Sequence, residues 1–312
     1  MKQKICLVII YNHNYEKNYE SLQEIYATRF SQIFHLIPFT SRIEDNVIPV
    51  YGNSFFFGSY ISQAAQILLK TSADFFFFAA DDILLNPSIN EDNVHYFFGV
   101  EENRAYLPYF TDLGTQQSFW LRSVDAINWE QKKRGLEVEK MLPTIDIWKE
   151  RFADLNFSNT ISIKSLIRIG SLGFRSADKN THRIIWAGKK LILIFINLFL
   201  NFKLIFKWIL RRGRPVRPLV GGYADVFIVP KKYFLGFSRL LGVLSSLELH
   251  VELAIPTSLA MQHGLQFSTN HELMAIGETQ NPFKFWDTVN SRFAFTNQVL
   301  YLHPVKLSKT KD

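Results

Sequence analysis

The sequence predicts an α/β fold, an open, mostly parallel sheet with helices on both faces, carrying a basic amphipathic helical insertion. Three observations lead there. Short runs that are apolar on nearly every residue alternate with helically spaced segments through the first 80 residues, the pattern of strands buried on both faces by crossover helices. The first and the last of those runs end abruptly in polar residues, as strands do where they reach a loop. One long apolar stretch, 184–210, is interrupted by lysines and by no acidic residue.

Each element follows from its own residues. Residues 4–10 (KICLVII) are Val/Ile-rich and stop at Tyr11-Asn12-His13-Asn14, a buried strand and its loop. Residues 15–30 place Tyr19, Leu22, Ile25, Tyr26 and Phe30 at near-helical spacing. Residues 32–39 read as a second strand and 47–50 as a third. Residues 59–70 read as a helix with Ser59 as its N-cap. Residues 73–80 form a strand, apolar on both faces after Asp74, and Asp81-Asp82 follow it directly. Further on, 105–110 is a strand, 128–140 a charged solvated segment, and 170–181 turn-rich. Val220 to Pro230 reads as a glycine turn and then a strand. Residues 244–254 read as one helix ended by Pro256, and 265–269 and 298–302 as short strands, the last meeting His303-Pro304-Val305-Lys306.

The chain has 312 residues, with 35 Lys+Arg against 28 Asp+Glu and a net charge of +7. Apolar residues make up 47% and charged residues 20%, which excludes wholesale disorder. A single cysteine, Cys6, excludes an internal disulfide framework; set in an apolar run, it reads as a buried core thiol suited to a reducing compartment. No secretory leader is read at the N-terminus. Phenylalanine is unusually abundant at 29 residues, many in the runs 55–57 and 75–78. Such runs demand cover, and buried central strands supply it.

In 184–210, at 100° per residue, Lys189, Lys190, Asn197, Asn201, Lys203 and Lys207 fall within an arc of roughly 160°. Arg211, Arg212 and Arg214 follow. The longest uninterrupted apolar stretch is shorter than the ~20 residues a spanning helix needs. A seat in the plane of an anionic membrane surface is expected instead, with a core helix or a dimer contact as the alternatives.

Two adjacent carboxylates at a buried strand end are costly unless a cation balances them. Mg²⁺ or Mn²⁺ does so, taking one or two carboxylates, several waters and nucleotide phosphates. Ligands of open α/β sheets bind outside the carboxyl ends of the strands, where Asp81-Asp82 and Tyr11-Asn12 both fall. His303 and Lys306 sit past the last strand; imidazole suits an Mn²⁺-type ion, and lysine can neutralise a leaving phosphate. Glu248 and Glu252, four apart, would share one helix face. Glu252, set among apolar residues, is the candidate general base.

The order of these parts resembles the nucleotide-sugar-dependent glycosyltransferases of the GT-A fold, and among them the bacterial enzymes of surface-polysaccharide assembly (lipopolysaccharide and capsule). The resemblance rests on Asp81-Asp82 followed by Ile83-Leu84-Leu85-Asn86-Pro87, on Gly221-Gly222-Tyr223-Ala224-Asp225-Val226-Phe227, and on His303-Pro304-Val305-Lys306. It covers residues 1–125 and 215–306. The acidic motif departs from Asp-X-Asp.

The resemblance implies a nucleotide-sugar-binding half (1–125), a variable segment (126–183), an amphipathic membrane-associating helix (184–214), and an acceptor-binding half with a C-terminal metal and phosphate element (215–312). It implies that Tyr11 and Asn12 contact base or ribose, and that Asp81 and Asp82 hold metal and nucleotide. His303 would complete the shell of a divalent Mn²⁺ or Mg²⁺, and Lys306 would meet the diphosphate. Gly221, Gly222 and Asp225 would shape the acceptor side, with Asp225 and Glu252 as the catalytic carboxylates. The partners implied are a nucleotide-sugar donor, a saccharide or lipid-linked saccharide acceptor, and an anionic membrane surface at the cytoplasmic face. A sugar nucleotidyltransferase would carry a Gly-rich loop with Arg and Lys after the first strand, and Tyr11-Asn12-His13-Asn14 has neither. A non-catalytic scaffold of the same fold stays open. A nucleic-acid partner is not expected, because the basic residues lie in an apolar segment and no reader motif occurs.

Overall fold

A computed structural model of the chain describes residues 3–12, 16–167, 199–210, 217–269, 275–276 and 300–305. In chain order the elements are β1 (Ile5–Ile10), α1 (Asn18–Ala27), β2 (Gln32–Pro38), β3 (Val47–Val50), α2 (Gly58–Leu68), β4 (Phe75–Ala80), β5 (Leu84–Leu85), α3 (Val94–Phe98), β6 (Arg104–Tyr106) and β7 (Phe110–Asp112). Then come α4 (Leu121–Asn128), α5 (Ile145–Asp154), α6 (Ile163–Leu166) and α7 (199–210). The chain continues with β8 (Val220–Gly222), β9 (Val226–Pro230), α8 (Lys231–Ser246), α9 (Val251–Ala260), β10 (Gln266–Ser268), β11 (Ala275–Ile276) and β12 (Tyr301–His303).

The chain divides into two compact units: Met1–Phe110 with Lys132–Leu142 and Gly221–Asp312, and Thr111–Gln131 with Pro143–Val220. The first unit is built on a seven-stranded sheet in the order β10-β6-β9-β4-β1-β2-β3. β3, β2, β1 and β4 pair in parallel, as do β6 and β10; β9 alone runs against its neighbours. The α/β class and the mostly parallel sheet are those expected.

β1 and β4 lie side by side at the centre, and every residue of both is buried. Phe75 to Phe78 are at most 2% exposed, so one of the two phenylalanine runs is a central strand. Phe77 packs edge-on against Phe30 and Phe98 on one face, while Phe78 stacks on Phe227 of β9. Cys6 is a buried free thiol, its acidity suppressed by burial to a pKa of about 12. On the other face α2 lies against α8 closely enough that a Cβ on Gly58 would stand 2.7 Å from Leu241 Cδ1, and Ser62 Oγ donates to the Ser238 carbonyl at 2.6 Å.

Several local expectations are corrected. Residues 55–57 are no buried strand: Asn53 accepts a hydrogen bond from the Phe55 N–H and winds 54–56 into a 3₁₀ turn, leaving Phe55 exposed. That turn runs straight into α2, so Ser59 lies inside the helix and caps nothing. Residues 105–110 split into β6 and the start of β7. Gly221 and Gly222 belong to strand β8. The single helix expected over 244–254 is two: α8 ends at Ser246, Glu248 takes φ +56°, and His250 caps α9 through Nδ1, which accepts from the Glu252 N–H at 3.2 Å. Pro256 sits within α9 instead of ending it. Glu248 therefore shares no face with Glu252 and pairs with Lys133.

In the second unit Trp148 is fully buried and donates from Nε1 to the Pro218 carbonyl at 2.7 Å. Asp112 gathers the Ser158 hydroxyl and the Gly114 N–H. α7 is fastened by Trp208 Nε1 to the Ile161 carbonyl at 2.7 Å and by Lys207 Nζ to Asn128 Oδ1 at 2.8 Å. No helix among the described residues is long and apolar enough to cross a membrane. The turn-rich 170–181 and the stretch 184–198 lie outside the described residues.

Candidate functional site

Strand direction assembles the site. β1 and β4 are parallel, so their carboxyl ends, Tyr11-Asn12 and Asp81-Asp82, emerge at one edge of the first unit's sheet. β9 runs antiparallel to β4 with Ala79 opposite Val226, which puts Asp225, just before β9, beside Ala80; the Ala80 N–H donates to the Asp225 carbonyl at 2.8 Å. β12 pairs antiparallel with β5, Leu302 opposite Leu84, and the Val305 N–H donates to the Asp82 carbonyl at 2.7 Å. His303 is thereby set against the acidic pair, and it lies within β12 rather than past its end.

The two aspartates divide. Asp81 is buried and faces back towards the first strand: it accepts from Asn18 Nδ2 at 3.0 Å and from the Asn12 N–H at 3.5 Å. Burial first, and the neighbouring Asp82 carboxylate second, push its pKa up to about 7. Asp82 turns to the other side, its Oδ2 at 3.4 Å from His303 Nε2, and the same nitrogen lies 3.7 Å from Asp225 Oδ2. The imidazole thus sits between two carboxylates. Among the described residues Asp82 Oδ1, a buried atom, has no hydrogen-bond partner, and neither has Asn18 Oδ1. Asp225 is pushed up to about 6, chiefly by burial and further by the charges of Asp82 and Glu252, with His303 and the Tyr223 hydroxyl pulling the other way.

Glu252 occupies the first turn of α9, partly exposed, and its charge reaches both Asp225 and the Tyr109 hydroxyl. Tyr109, Tyr223 and Tyr301 form a wall of rings beside His303, with Tyr223 5.7 Å edge-on from His303 and 6.3 Å from Tyr301. Gly222 lets that wall close: a Cβ there would stand 2.5 Å from the Tyr109 carbonyl oxygen.

Of the residues singled out from sequence, Asp82, Asp225 and His303 come together, with Asp81 behind them and Glu252 within electrostatic reach. Asn12 reaches the site through its backbone. Tyr11 does not present its ring there; it is fully buried, with its hydroxyl on His35. Lys306 lies outside the described residues. Among the described residues no group of three or more His, Cys, Asp or Glu is arranged to hold a metal ion. Asp81 contributes to the site through Asn18 and Asn12 rather than beside His303.

Sequence reasoning missed Asn18. It shares the buried stripe of α1 with Leu22 and Tyr26. A polar side chain on an apolar stripe, just after the first strand's loop, is the signal that marks it.

No protein-family model matches this chain, and no curated protein matches it.

Proposed function

We propose that the first unit is the catalytic body of a metal-dependent glycosyltransferase of the GT-A type. It moves a sugar from a nucleotide-sugar donor to a saccharide or lipid-linked saccharide acceptor, in bacterial cell-surface polysaccharide synthesis, as a peripheral protein of the cytoplasmic membrane face. The observation that carries the reading is the meeting of Asp82, Asp225 and His303, from three remote segments, around a buried carboxylate oxygen that has no partner among the described residues. An orphaned buried acceptor of this kind costs on the order of 1–3 kcal/mol, more when charged, and a cation or a hydrogen-bond donor from a ligand relieves it.

Two carboxylates and one imidazole do not make a closed cage. Only a hard divalent ion that keeps most of its shell for water and phosphate would suit so open a set. In this reading Asp82 and Asp225 would hold the ion, which would neutralise charge on the leaving diphosphate. The protein's own groups do the rest. Asn12 and Asn18 keep Asp81 in place behind the pair. The tyrosine wall would limit water from one side. Glu252, whose charge reaches Asp225, would take a proton from the acceptor hydroxyl.

A thermal-shift panel of UDP-, GDP- and TDP-sugars with and without Mn²⁺ tests this. One nucleotide-sugar should raise the unfolding temperature only when the ion is present, since a ligand at about 100 times its Kd stabilises by roughly 2.7 kcal/mol. A panel without any such pair defeats the proposal. Binding without transfer to any acceptor would leave the non-catalytic scaffold.

A further inference from the structure

The outward face of α7 carries apolar side chains where a solvent-facing helix carries polar ones. Phe199 and Phe202 are each 68% exposed, and Phe206, Ile209 and Leu210 are more than half exposed. Positions 199, 202, 206 and 209 recur at spacings of three, four and three, so they form one stripe along the helix. Lys203 and Lys207, both exposed, border it on one side. The opposite face is fastened through the Trp208 bond to the Ile161 carbonyl, and Lys207 at the stripe's border reaches back to Asn128 Oδ1, which leaves Lys203 as the bordering lysine with no bond to the rest of the second unit among the described residues. The helix is thus held to the second unit by its back, with its greasy stripe turned out.

We propose that this stripe is a docking surface for an anionic lipid bilayer, with α7 lying in the membrane plane. Charge selects this occupant. Between Asp178 and Asp225 the sequence has no carboxylate, but it has Lys179, Arg183, Lys189, Lys190, Lys203, Lys207, Arg211, Arg212, Arg214 and Arg217. A second copy docking stripe to stripe would set these cations against themselves. A bilayer with anionic headgroups offers hydrocarbon to the phenylalanines and negative charge to the lysines at one surface. No helix among the described residues is long and apolar enough to cross a membrane. The inference deepens the peripheral seat of the proposed function by naming its surface, and because it uses no residue of the site in the first unit, its failure would leave the catalytic reading standing.

The test is flotation of the full chain with vesicles of phosphatidylcholine alone or mixed with phosphatidylglycerol. Wild-type protein should float with the mixed vesicles, float less as salt rises, and ignore the neutral ones. Phe202→Ser with Phe206→Ser should return it to the unbound fraction with its unfolding temperature unchanged, because both rings are exposed. Lys203→Gln should weaken binding by roughly fivefold, the worth of one lysine near such a surface. Wild-type protein that ignores phosphatidylglycerol vesicles overturns the proposal. So does flotation of the double-serine variant equal to wild type. A self-association that the double-serine variant abolishes, without vesicle binding, would assign the stripe to a second copy and overturn it too.

Discussion

Two buried polar clusters lie in the first unit, and they are finished to different degrees. Around His35, on β2, both ring nitrogens and the hydroxyls beside them have partners. The Tyr11 hydroxyl meets Nδ1 at 2.9 Å, and Nε2 meets Gln23 Oε1 at 2.9 Å. Asn46 donates to the same Gln23 oxygen and accepts from Tyr19. Because Gln23 Oε1 can only accept, Nε2 carries the proton and Nδ1 takes the tyrosine's, so the ring is neutral. Burial, and then the nearby Arg42 charge, hold its pKa down to about 3. Around Asp82 the same sheet leaves a carboxylate oxygen and the Asn18 oxygen buried without partners among the described residues, and two aspartates raised towards neutrality. A satisfied network specifies a core; an unsatisfied one waits for something. The comparison assigns stability to the histidine cluster and binding to the aspartate cluster.

The sharpest way to break it is Asp82→Ala. Transfer should fall by about a thousandfold, of the order seen when charge stabilisation at a reacting centre is removed, and the Mn²⁺-dependent thermal shift should vanish while the protein stays folded. Retained metal-dependent binding in this variant would move the site elsewhere. His35→Ala should do the reverse. It strips partners from buried Tyr11 and Gln23 and opens a cavity, so a loss of roughly 2–4 kcal/mol is expected in chemical denaturation, with ligand affinity of the folded protein unchanged. Weakened binding at unaltered stability would join the two clusters into one. His303→Ala should lower metal-dependent affinity by roughly 10- to 100-fold; an unaltered Mn²⁺ titration would reduce the imidazole to a structural partner of its two carboxylates.

The smallest effect concerns pH. A carboxyl whose folded pKa is raised binds more protons folded than unfolded, so stability falls as pH rises through that window. For Asp81 and Asp225 the window runs from about 4, the ordinary value, to about 7 and about 6. His35 acts oppositely: held neutral, it withdraws stability as pH falls from about 6.5 towards 3. Ligand-free protein should therefore gain stability on acidification from pH 8 to about 5 and lose it below about 4. Asp81→Asn should flatten the upper part of that curve and raise the melting temperature at pH 7.5 by roughly 2–4 °C, equivalent to about 1 kcal/mol in a domain of this size. A wild-type curve that climbs steadily from pH 5 to 8 would contradict the burial assigned to the acidic pair.

Much of the frame was legible before any coordinates. β1 and β4 announce themselves because a strand covered on both faces must be apolar at every position, and their polar ends mark where ligands of such sheets bind. β3 is found at the residues read for it. The tandem α8 and α9 were misread because their hydrophobic pattern continues across the break. What interrupts it is a backbone event, the positive φ of Glu248 and the His250 cap, and composition does not register that. The phenylalanines of 55–57 were misread for a similar reason: one Asn53 side-chain bond turns a strand-like run into a 3₁₀ turn.

Local chemistry in the sequence determined the central strands, the buried thiol, the acidic pair and the basic, carboxylate-free segment, because each depends on neighbours in the chain. The tertiary structure decided which of these meet. Asp225 reaches the acidic pair only because β9 runs against β4, and His303 only because β12 returns along β5. Tyr11 was taken from the site by a hydrogen bond to His35 on the next strand. On α7, periodicity alone defined two faces, and the bond from Trp208 to Ile161 chose which one is turned away from the second unit. Strand pairing joins residues across any separation along the chain, so the direction and register of two strands settle what the residues themselves leave open.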